Sequence, residues 1–464
     1  MQQLTTIKQV FAQVLVSIFG LIKNKLYIIF LGLETYGLYG LLSTISSPFI
    51  AFFGNTSDLL LQRKLSKNKT SQLENFIGIE LIFSISIGII QSIIFFGLLL
   101  FSEINNYFLV ISLVIFSISK YLHISTLAKI KGLSAHKSVR NSILAGEFLS
   151  LCSQCILLLL LKEDAIIYVI ILNGFAPMLC SFLYLRKEKK YHFEIKLNYK
   201  FIKKYILIGS YKSLSTFFIL SSQAIIIYYI YIFIDPVTAG IYFALNGLSV
   251  QLYNIILSSI SATLFQQQLI AFKKDIQGFR SLINSQSSFC LDLAFLVALN
   301  AIILSKLIII ILLDEAMVQY NDLFHILLIA GFANVSKQIH DISLQCHNKK
   351  FLFFYTALIG SISILMFSSL GISIWGGVYG LGYGIFINSI FCIVMIYCFY
   401  YLNYHHWPSL KYLLKKSFYF FILITLALFN DNVVVTIVVL LLFNILIISS
   451  IYNSRNDHFS PSSY

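Results

Sequence analysis

The sequence LGLETYGLYG, residues 31–40, lies between two long apolar segments. Its ten residues include one glutamate, three glycines and two tyrosines. Glycine and polar residues between hydrophobic runs indicate a turn. We therefore predict that the chain leaves an apolar environment here and enters it again, with membrane spans over residues 8–31 and 37–62.

The composition of the whole chain also indicates a membrane protein. Its 464 residues are 58% hydrophobic and 11% charged, with a mean hydropathy of +0.85. An average soluble domain has about 25% charged residues. Most of the chain lies in apolar runs of about 20 residues, the length that a helix needs to cross a bilayer. We predict an all-α, polytopic integral membrane protein with 12–14 transmembrane helices.

Twelve further spans follow the first two. They are predicted over residues 76–101, 107–130, 141–161, 166–185, 205–233, 240–265, 283–313, 323–345, 351–372, 378–402, 410–430 and 432–452. The thirteenth of the fourteen is the least distinct, because Lys415 and Lys416 interrupt its start. Chains of twelve or thirteen spans are therefore the alternatives.

Positive charge predicts the orientation of these spans, because Lys and Arg accumulate in cytoplasmic loops. Alternate loops and the two termini hold 26 of the 33 Lys and Arg residues, whereas the opposite loops hold Lys162 alone. We predict that both termini are cytoplasmic and that LGLETYGLYG lies at the outer surface. The net charge of +14 then reflects topology and attraction to anionic lipids, and does not indicate nucleic-acid binding.

Two short patterns recur and predict an internal repeat. SKYLH at residues 119–123 returns as SKQIH at residues 336–340, in the fourth and tenth predicted spans. The turn after the first span aligns with the turn after the seventh through Thr35, Gly37, Tyr39 and Thr238, Gly240, Tyr242. We predict a six-helix lobe over residues 1–185, a basic cytoplasmic connector over 186–204, a second six-helix lobe over 205–402, and one or two helices with a cytoplasmic tail over 403–464.

Parallel six-helix repeats in transporters enclose a central cavity with a substrate site near the bilayer midplane. Charged residues inside spans are costly and mark such sites. Lys120 and Lys337 lie on the order of 20 Å from the outer ends of their spans, judged from helical rise. The candidate substrate-binding residues are Lys120, Lys337, Lys23, Lys25, Lys212, His123 and His340. The alternative is that these lysines pair with carboxylates or extend to the interface, and that the histidines pack between helices.

Three carboxylates inside spans are candidates for proton or sodium coupling. They are Glu80, Glu147 and Asp292. Their alternative role is to neutralise lysines. The sequence has no nucleotide-binding loop, and CSQC at residues 152–155 lacks the further ligands of a metal site. We expect no cofactor and no metal.

Four segments carry a resemblance to a known family: the LGLETYGLYG turn, AGIY at residues 239–242, KGLSAHKS at 131–138 and FIKKYILIGS at 201–210. With them, essentially the whole chain resembles the polysaccharide-transport branch of the multidrug/oligosaccharidyl-lipid/polysaccharide (MOP) exporter superfamily. It is most similar to the O-antigen translocases, the Wzx-type flippases of lipopolysaccharide biosynthesis. These motifs are loose, and the family has no fixed residue signature for its substrate site.

The resemblance implies a multi-pass protein of the bacterial inner membrane. It implies that undecaprenyl-diphosphate-linked O-antigen units cross from the cytoplasmic to the periplasmic leaflet by alternating access, with the diphosphate bound by cationic residues in a cavity between two lobes. The implied partners are the lipid-linked oligosaccharide, membrane lipids, and the polysaccharide polymerase with its chain-length machinery. No nucleic acid is implied.

Three other functions are alternatives to O-antigen transport. A multidrug exporter for cationic drugs would favour acidic groups in its cavity. The predicted spans of this chain contain more lysines than carboxylates at candidate sites, which disfavours that function. A peptidoglycan lipid-precursor flippase fits a cationic cavity equally well. An O-antigen polymerase or ligase would be an enzyme with a sizeable periplasmic loop, whereas the longest outer loop predicted here, DEAMVQYND, has nine residues. We therefore expect a transporter and not an enzyme.

Overall fold

A computed structural model of the protein describes residues 2–65, 73–101, 107–132, 136–188, 199–346, 350–404 and 410–429. Within these ranges the regular structure is helical, and no strand occurs. The predicted all-α membrane fold is confirmed. The predicted fourteenth span and the central part of the predicted connector lie outside the described residues.

The helices of the first half are α1 (Gln2–Leu65), α2 (Leu73–Phe101), α3 (Tyr107–Gly132), α4 (His136–Leu161), a 3₁₀ turn (Lys162–Ala165), α5 (Ile166–Glu188) and α6 (Tyr199–Phe233). Those of the second half are α7 (Pro236–Lys274), α8 (Ile276–Ile303), α9 (Ser305–Leu312), a 3₁₀ helix (Glu315–Tyr320), α10 (Asn321–Cys346), α11 (Lys350–Trp375), α12 (Gly377–Tyr404) and α13 (Leu410–Phe429).

Helix length and apolar character agree with a membrane environment. Seven segments of the described chain are long and apolar enough to cross a bilayer, and the first of them, Phe11–Gly54, overlaps two of the predicted spans. Large apolar side chains such as Ile93, Leu160 and Leu402 are exposed on the helix surfaces. In a bilayer these side chains would face lipid, which is as apolar as they are.

The predicted turn after the first span is a single-residue break. Gly32 has φ 76° and ψ 166°, whereas the residues on either side of it continue α1 as a helix. A side chain at Gly32 would meet no neighbouring atom within 4 Å, so the positive φ and not space requires glycine. The helix resumes at once, and the turn is shorter than the gap at residues 32–36 that we predict between the two spans.

Two glycines that the repeat alignment paired, Gly37 and Gly240, lie against each other. A Cβ atom on Gly37 would collide with the carbonyl oxygen of Pro236, and one on Gly240 would collide with that of Leu33. The Phe243 ring packs beside Tyr36, with ring centroids 5.4 Å apart. The backbones of α1 and the first turns of α7 are therefore in direct contact.

The chain divides into two compact units, residues 1–243 and 244–464. In the first, α1 packs along α3, α4 and α6. In the second, α10 packs against α8 and α12, and α11 packs against α12. Because α6 lies along α1, the division falls later than the connector at 186–204 at which we expected the first lobe to end. The four-part division of the chain remains a prediction.

Candidate functional site

A buried polar cluster lies inside the first unit, where α1, α3, α4 and α5 meet. The sequence places polar residues on these apolar helices at a few positions only, and several of those positions face one another. We call this group the Lys23–Lys120 cluster; its members are Lys23, Tyr27, Tyr39, Lys120, His123, Glu147, Ser150, Gln154 and Asn173.

Lys23 and Glu147 form an ion pair between α1 and α4. The distance from Lys23 Nζ to Glu147 Oε2 is 2.5 Å, and the two side chains are 8% and 19% exposed. The same ammonium group lies 3.4 Å from Asn173 Oδ1 and 3.5 Å from Ser150 Oγ. An unpaired charge at this depth would be strongly destabilising, so the carboxylate keeps Lys23 compatible with the interior. The pair joins a predicted substrate-binding residue to a predicted coupling residue.

Asn173 of α5 connects this ion pair to the outer turn. Its Nδ2 donates to the hydroxyl groups of Tyr27, at 3.0 Å, and Tyr39, at 2.7 Å, while its Oδ1 accepts from Lys23. Tyr27 in turn donates to Gln154 Oε1 at 2.5 Å. Tyr39 belongs to LGLETYGLYG, so one amide side chain links that segment to Lys23. We did not predict Asn173, although an amide within the apolar run IIYVIILNGF was a usable signal.

Lys120 of α3 is the second cation of the cluster. It is half-buried, and its charge interacts with those of Glu147 and Lys23. Lys120 makes no hydrogen bond or ion pair within the described part of the chain, whereas Glu147 is bound directly to Lys23. By formal charge, two lysines and one carboxylate give the cluster one excess positive charge.

His123 lies one turn beyond Lys120 on the same face of α3. Its side chain is buried, and its Nδ1 has no hydrogen-bond partner among the described residues. The ring lies beside the backbone of Pro177 in α5 and interacts electrostatically with Lys120 and Glu147. Three of the predicted substrate-binding residues and one predicted coupling residue are thus brought together in one place.

Two other predicted substrate-binding lysines of the first unit have different surroundings. Lys25 and Lys212 are half-buried, and each has an interaction partner of its own. The charges that act most strongly on Glu147 belong to Lys120, Lys23 and His123. The substrate-binding roles of Lys25 and Lys212 therefore remain predictions.

Glu80 is held between α2 and α3 by two donors. Lys129 Nζ binds Glu80 Oε2, and Ser125 Oγ donates to Glu80 Oε1. Glu80 and Lys129 are both buried. A carboxylate with both oxygens bound is well suited to neutralising a lysine, which is the alternative role that the sequence allowed. Its role in ion coupling remains a prediction.

In the second unit, Lys337 and His340 lie on α10. Lys337 is half-buried, and its charge acts on Asp341, one turn later, and on Cys392 of α12. His340 is buried and packs edge-on against the ring of Tyr397, with centroids 5.2 Å apart. The lysine of this repeat lies next to a carboxylate on its own helix.

Asp292 of α8 explains how α13 tolerates a lysine near its start. Lys415 Nζ lies 2.6 Å and 2.7 Å from the two oxygens of Asp292, and 3.2 Å from Ser288 Oγ. Tyr419 donates to Asp292 Oδ1 at 2.8 Å. The lysine that obscured the thirteenth span in the sequence is therefore neutralised by a carboxylate that we had assigned to ion coupling. That coupling role remains a prediction.

Metal-binding groups do not converge in the described parts of the chain. Among those residues, no three His, Cys, Asp or Glu side chains lie close enough together to hold a metal ion.

The sequence and the fold give different results in comparisons with known proteins. No protein-family model and no curated protein matches the chain. Its fold is similar to that of a lipid II flippase, MurJ, in an inward closed conformation, with a TM-score of 0.72 and 15% identity over 97% of this chain and 99% of that one.

Multidrug transporters have a similar fold. An inward-facing MATE family transporter of the MOP superfamily matches 85% of this chain and 97% of its own, with a TM-score of 0.64 and 13% identity. The MATE multidrug transporter DinF-BH matches 86% of this chain and 95% of its own, with a TM-score of 0.61 and 14% identity.

These similarities show the fold of the chain. The chain is a multi-pass helical membrane protein whose fold is similar to those of a lipid II flippase and of MATE transporters, one of which belongs to the MOP superfamily. At 12–15% identity the likeness concerns the fold alone.

Proposed function

We propose that this protein is a flippase for undecaprenyl-diphosphate-linked O-antigen units, or for the units of a similar surface polysaccharide. It moves them from the cytoplasmic to the periplasmic leaflet of the bacterial inner membrane by alternating access. The observation that carries the proposal is the excess positive charge of the Lys23–Lys120 cluster. A half-buried ammonium group with no carboxylate bound to it is costly, and an anionic ligand would compensate for that cost.

The chemistry of the cluster suits a phosphorylated headgroup. Lysine is a compact point charge with three donors, and charge-assisted hydrogen bonds to phosphate oxygens are about twice as strong as neutral ones. Tyr27 and Tyr39 add hydroxyl groups and rings beside the lysines. The diphosphate would be held by Lys23 and Lys120, with His123 as a further donor. Lys337, Lys25, Lys212 and His340 are proposed to contact the substrate at other stages of transport.

The proposed activity is transport without chemistry on the substrate. The fold resembles those of a flippase and of drug exporters over most of the chain. Transporters built in this way expose a midplane site to each side in turn. The units delivered to the outer leaflet would pass to a polysaccharide polymerase and its chain-length machinery, which we propose as partners in lipopolysaccharide biosynthesis.

A second candidate is a flippase for the lipid precursor of peptidoglycan. It is favoured by the similarity to the lipid II flippase MurJ over 97% of this chain. An isoprenoid diphosphate carrier is common to both candidate substrates, so the cluster does not separate them. An exporter of cationic drugs is disfavoured, because the cluster has an excess of positive charge.

Deletion of the gene in its host tests the proposal. We expect the lipid-linked oligosaccharide to accumulate in the cytoplasmic leaflet and surface polysaccharide to disappear, with both restored by a plasmid copy. Normal surface polysaccharide in the deletion strain would refute the O-antigen assignment. Accumulation of the peptidoglycan precursor together with cell lysis would favour the second candidate.

A further inference from the structure

Glu147 has a specific place in the proposed substrate site. We infer that it is a displaceable counter-anion, which competes with the substrate's phosphates for Lys23 and Lys120 and so sets how many negative charges the site accepts. This inference rests on the proposed function and assigns Glu147 a role different from ion coupling.

Glu147 is the more open partner of its ion pair. Its side chain is 19% exposed, against 8% for Lys23. When Glu147 moves away, Lys23 keeps two neutral oxygens within reach, Asn173 Oδ1 at 3.4 Å and Ser150 Oγ at 3.5 Å. The lysine would therefore stay in position while its charge became available to a phosphate.

The other two carboxylates that we assigned to ion coupling are held differently. Glu80 and Asp292 each use both oxygens, the first with Lys129 and Ser125, the second with Lys415 and Tyr419. Glu147 accepts a hydrogen bond through Oε2 alone among the described residues. Fewer bonds have to be broken to release Glu147 than to release Glu80 or Asp292. Glu147 is therefore the carboxylate best suited to exchange with a phosphate.

Formal charges show what the exchange would do. Lys23 and Lys120 contribute two positive charges, and Glu147 removes one, so the cluster offers a net charge of +1. This charge matches a glycosylated monophosphate, which has one negative charge. A glycosylated diphosphate has two, and it is matched only when the carboxylate of Glu147 no longer faces the lysines. Glu147 therefore weakens binding of the diphosphate in particular, which favours its release after transport.

The test uses the full-length protein in detergent and two lipid probes. One is a polyprenyl diphosphate carrying a single sugar, and the other is a polyprenyl monophosphate carrying the same sugar. Binding of each is measured by native mass spectrometry for the wild type, for Glu147→Gln and for the control Glu163→Gln. Glu163 is exposed on the 3₁₀ turn between α4 and α5, so its substitution removes the same charge outside the cluster.

We expect Glu147→Gln to bind the diphosphate probe roughly tenfold more tightly than the wild type, as removal of a nearby like charge predicts. Its affinity for the monophosphate probe should rise much less, and Glu163→Gln should leave both affinities unchanged. An unchanged ratio of the two affinities in folded Glu147→Gln would overturn the inference.

A double variant covers the case in which Glu147→Gln folds poorly. Lys23→Met with Glu147→Gln replaces a buried pair by neutral side chains, which membrane and soluble interiors tolerate better than a lone charge. It leaves the cluster at +1, so its preference between the probes should return to that of the wild type. A double variant with a stronger preference for the diphosphate would contradict the charge argument.

The experiment separates the inference from the proposed function. If the wild type binds neither probe better than an uncharged lipid with the same sugar, the proposed function fails. If the wild type binds the diphosphate probe but its preference does not depend on Glu147, the function stands and the counter-anion role fails.

Discussion

The motif SKYLH in α3 and its repeat SKQIH in α10 place a lysine at similar depth in two different environments. Lys120 lies 13 residues after Tyr107, the start of α3, and Lys337 lies 16 residues after Asn321, the start of α10. Lys120 shares one carboxylate with a second lysine, Lys23. Lys337 acts on a carboxylate of its own helix, Asp341.

The comparison shows that a repeated motif need not repeat a site. The surroundings of each lysine come from helices that the motif does not include, α1 and α4 for Lys120, and α11 and α12 for Lys337. By formal charge, Lys337 has one carboxylate, Asp341, on its own helix, whereas Lys120 shares Glu147 with Lys23. We therefore expect substitutions in the two repeats to have unequal effects.

The largest effect is expected for Lys120→Ala. Loss of a charge-assisted hydrogen bond to phosphate costs about 1.5–3 kcal/mol, which corresponds to a reduction in export of roughly 10- to 100-fold. Lys120→Arg should be milder, because it keeps the charge. Surface polysaccharide in a complemented deletion strain, normalised to the amount of protein in the membrane, is the measurement.

The matched control for Lys120→Ala is Lys187→Ala, since Lys187 is exposed at the end of α5. It should support normal export. Wild-type export by Lys120→Ala would show that Lys120 does not take part in transport. It would also contradict the expected difference between the two repeats.

The ion pair of the first unit predicts the next effect, on stability. Lys23→Ala leaves Glu147 without its partner, and loss of one member of a buried pair costs about 3–5 kcal/mol, less here because Glu147 is partly exposed. The double variant Lys23→Ala with Glu147→Ala should recover part of this loss. Thermal unfolding of the purified protein in detergent measures both, and additive losses would show that the pair contributes no coupling.

A smaller effect is expected in the other repeat, for Lys337→Ala. Because Asp341 opposes its charge, Lys337 has less capacity to bind an anion, and export should fall by no more than about tenfold. The assay is the same surface polysaccharide measurement. Equal losses of export in Lys337→Ala and Lys120→Ala would mean that the two lysines contribute equally, which would contradict the expected difference between the two repeats.

The smallest effect separates two neighbouring tyrosines. Tyr39→Phe removes the hydroxyl that accepts from Asn173 and should destabilise the protein by about 1 kcal/mol. Tyr36 is also buried, but its hydroxyl has no hydrogen-bond partner among the described residues, so Tyr36→Phe should be neutral or stabilising. Thermal unfolding in detergent compares the two, and an equal response would contradict the role given to Asn173.

Helix positions could be predicted well from the sequence, because the need for about 20 apolar residues to cross a bilayer is a one-dimensional constraint. The predicted span at 107–130 corresponds to α3, Tyr107–Gly132, and that at 351–372 corresponds to α11, Lys350–Trp375. The prediction failed where backbone geometry decides. The predicted span at 283–313 is divided at Leu304 into α8 and α9, directly before Ser305 and Lys306, two polar residues through which we had continued the span.

The site could be predicted only in part, for a physical reason. Residue position within a span gives the depth of a charge but not the direction in which its side chain points. Depth drew attention to Lys23, Lys120 and Glu147, yet the ion pair of Lys23 with Glu147 depends on how α1 and α4 are rotated against each other. Asn173 escaped notice because we followed formal charge within the spans and Asn173 is neutral, although it binds four of the cluster's side chains.

The contact between Gly37 and Gly240 has a consequence for how the protein is made. Chains are synthesised from the N-terminus, so α1 enters the bilayer long before α7 leaves the ribosome. Because the backbones of Gly37 and Gly240 touch, this part of α1 makes its native contact only after residues 236–240 have been synthesised. Until then α1 lies in the bilayer without that contact, and we expect a chain truncated before Pro236 to be less stable in the membrane than the full-length protein.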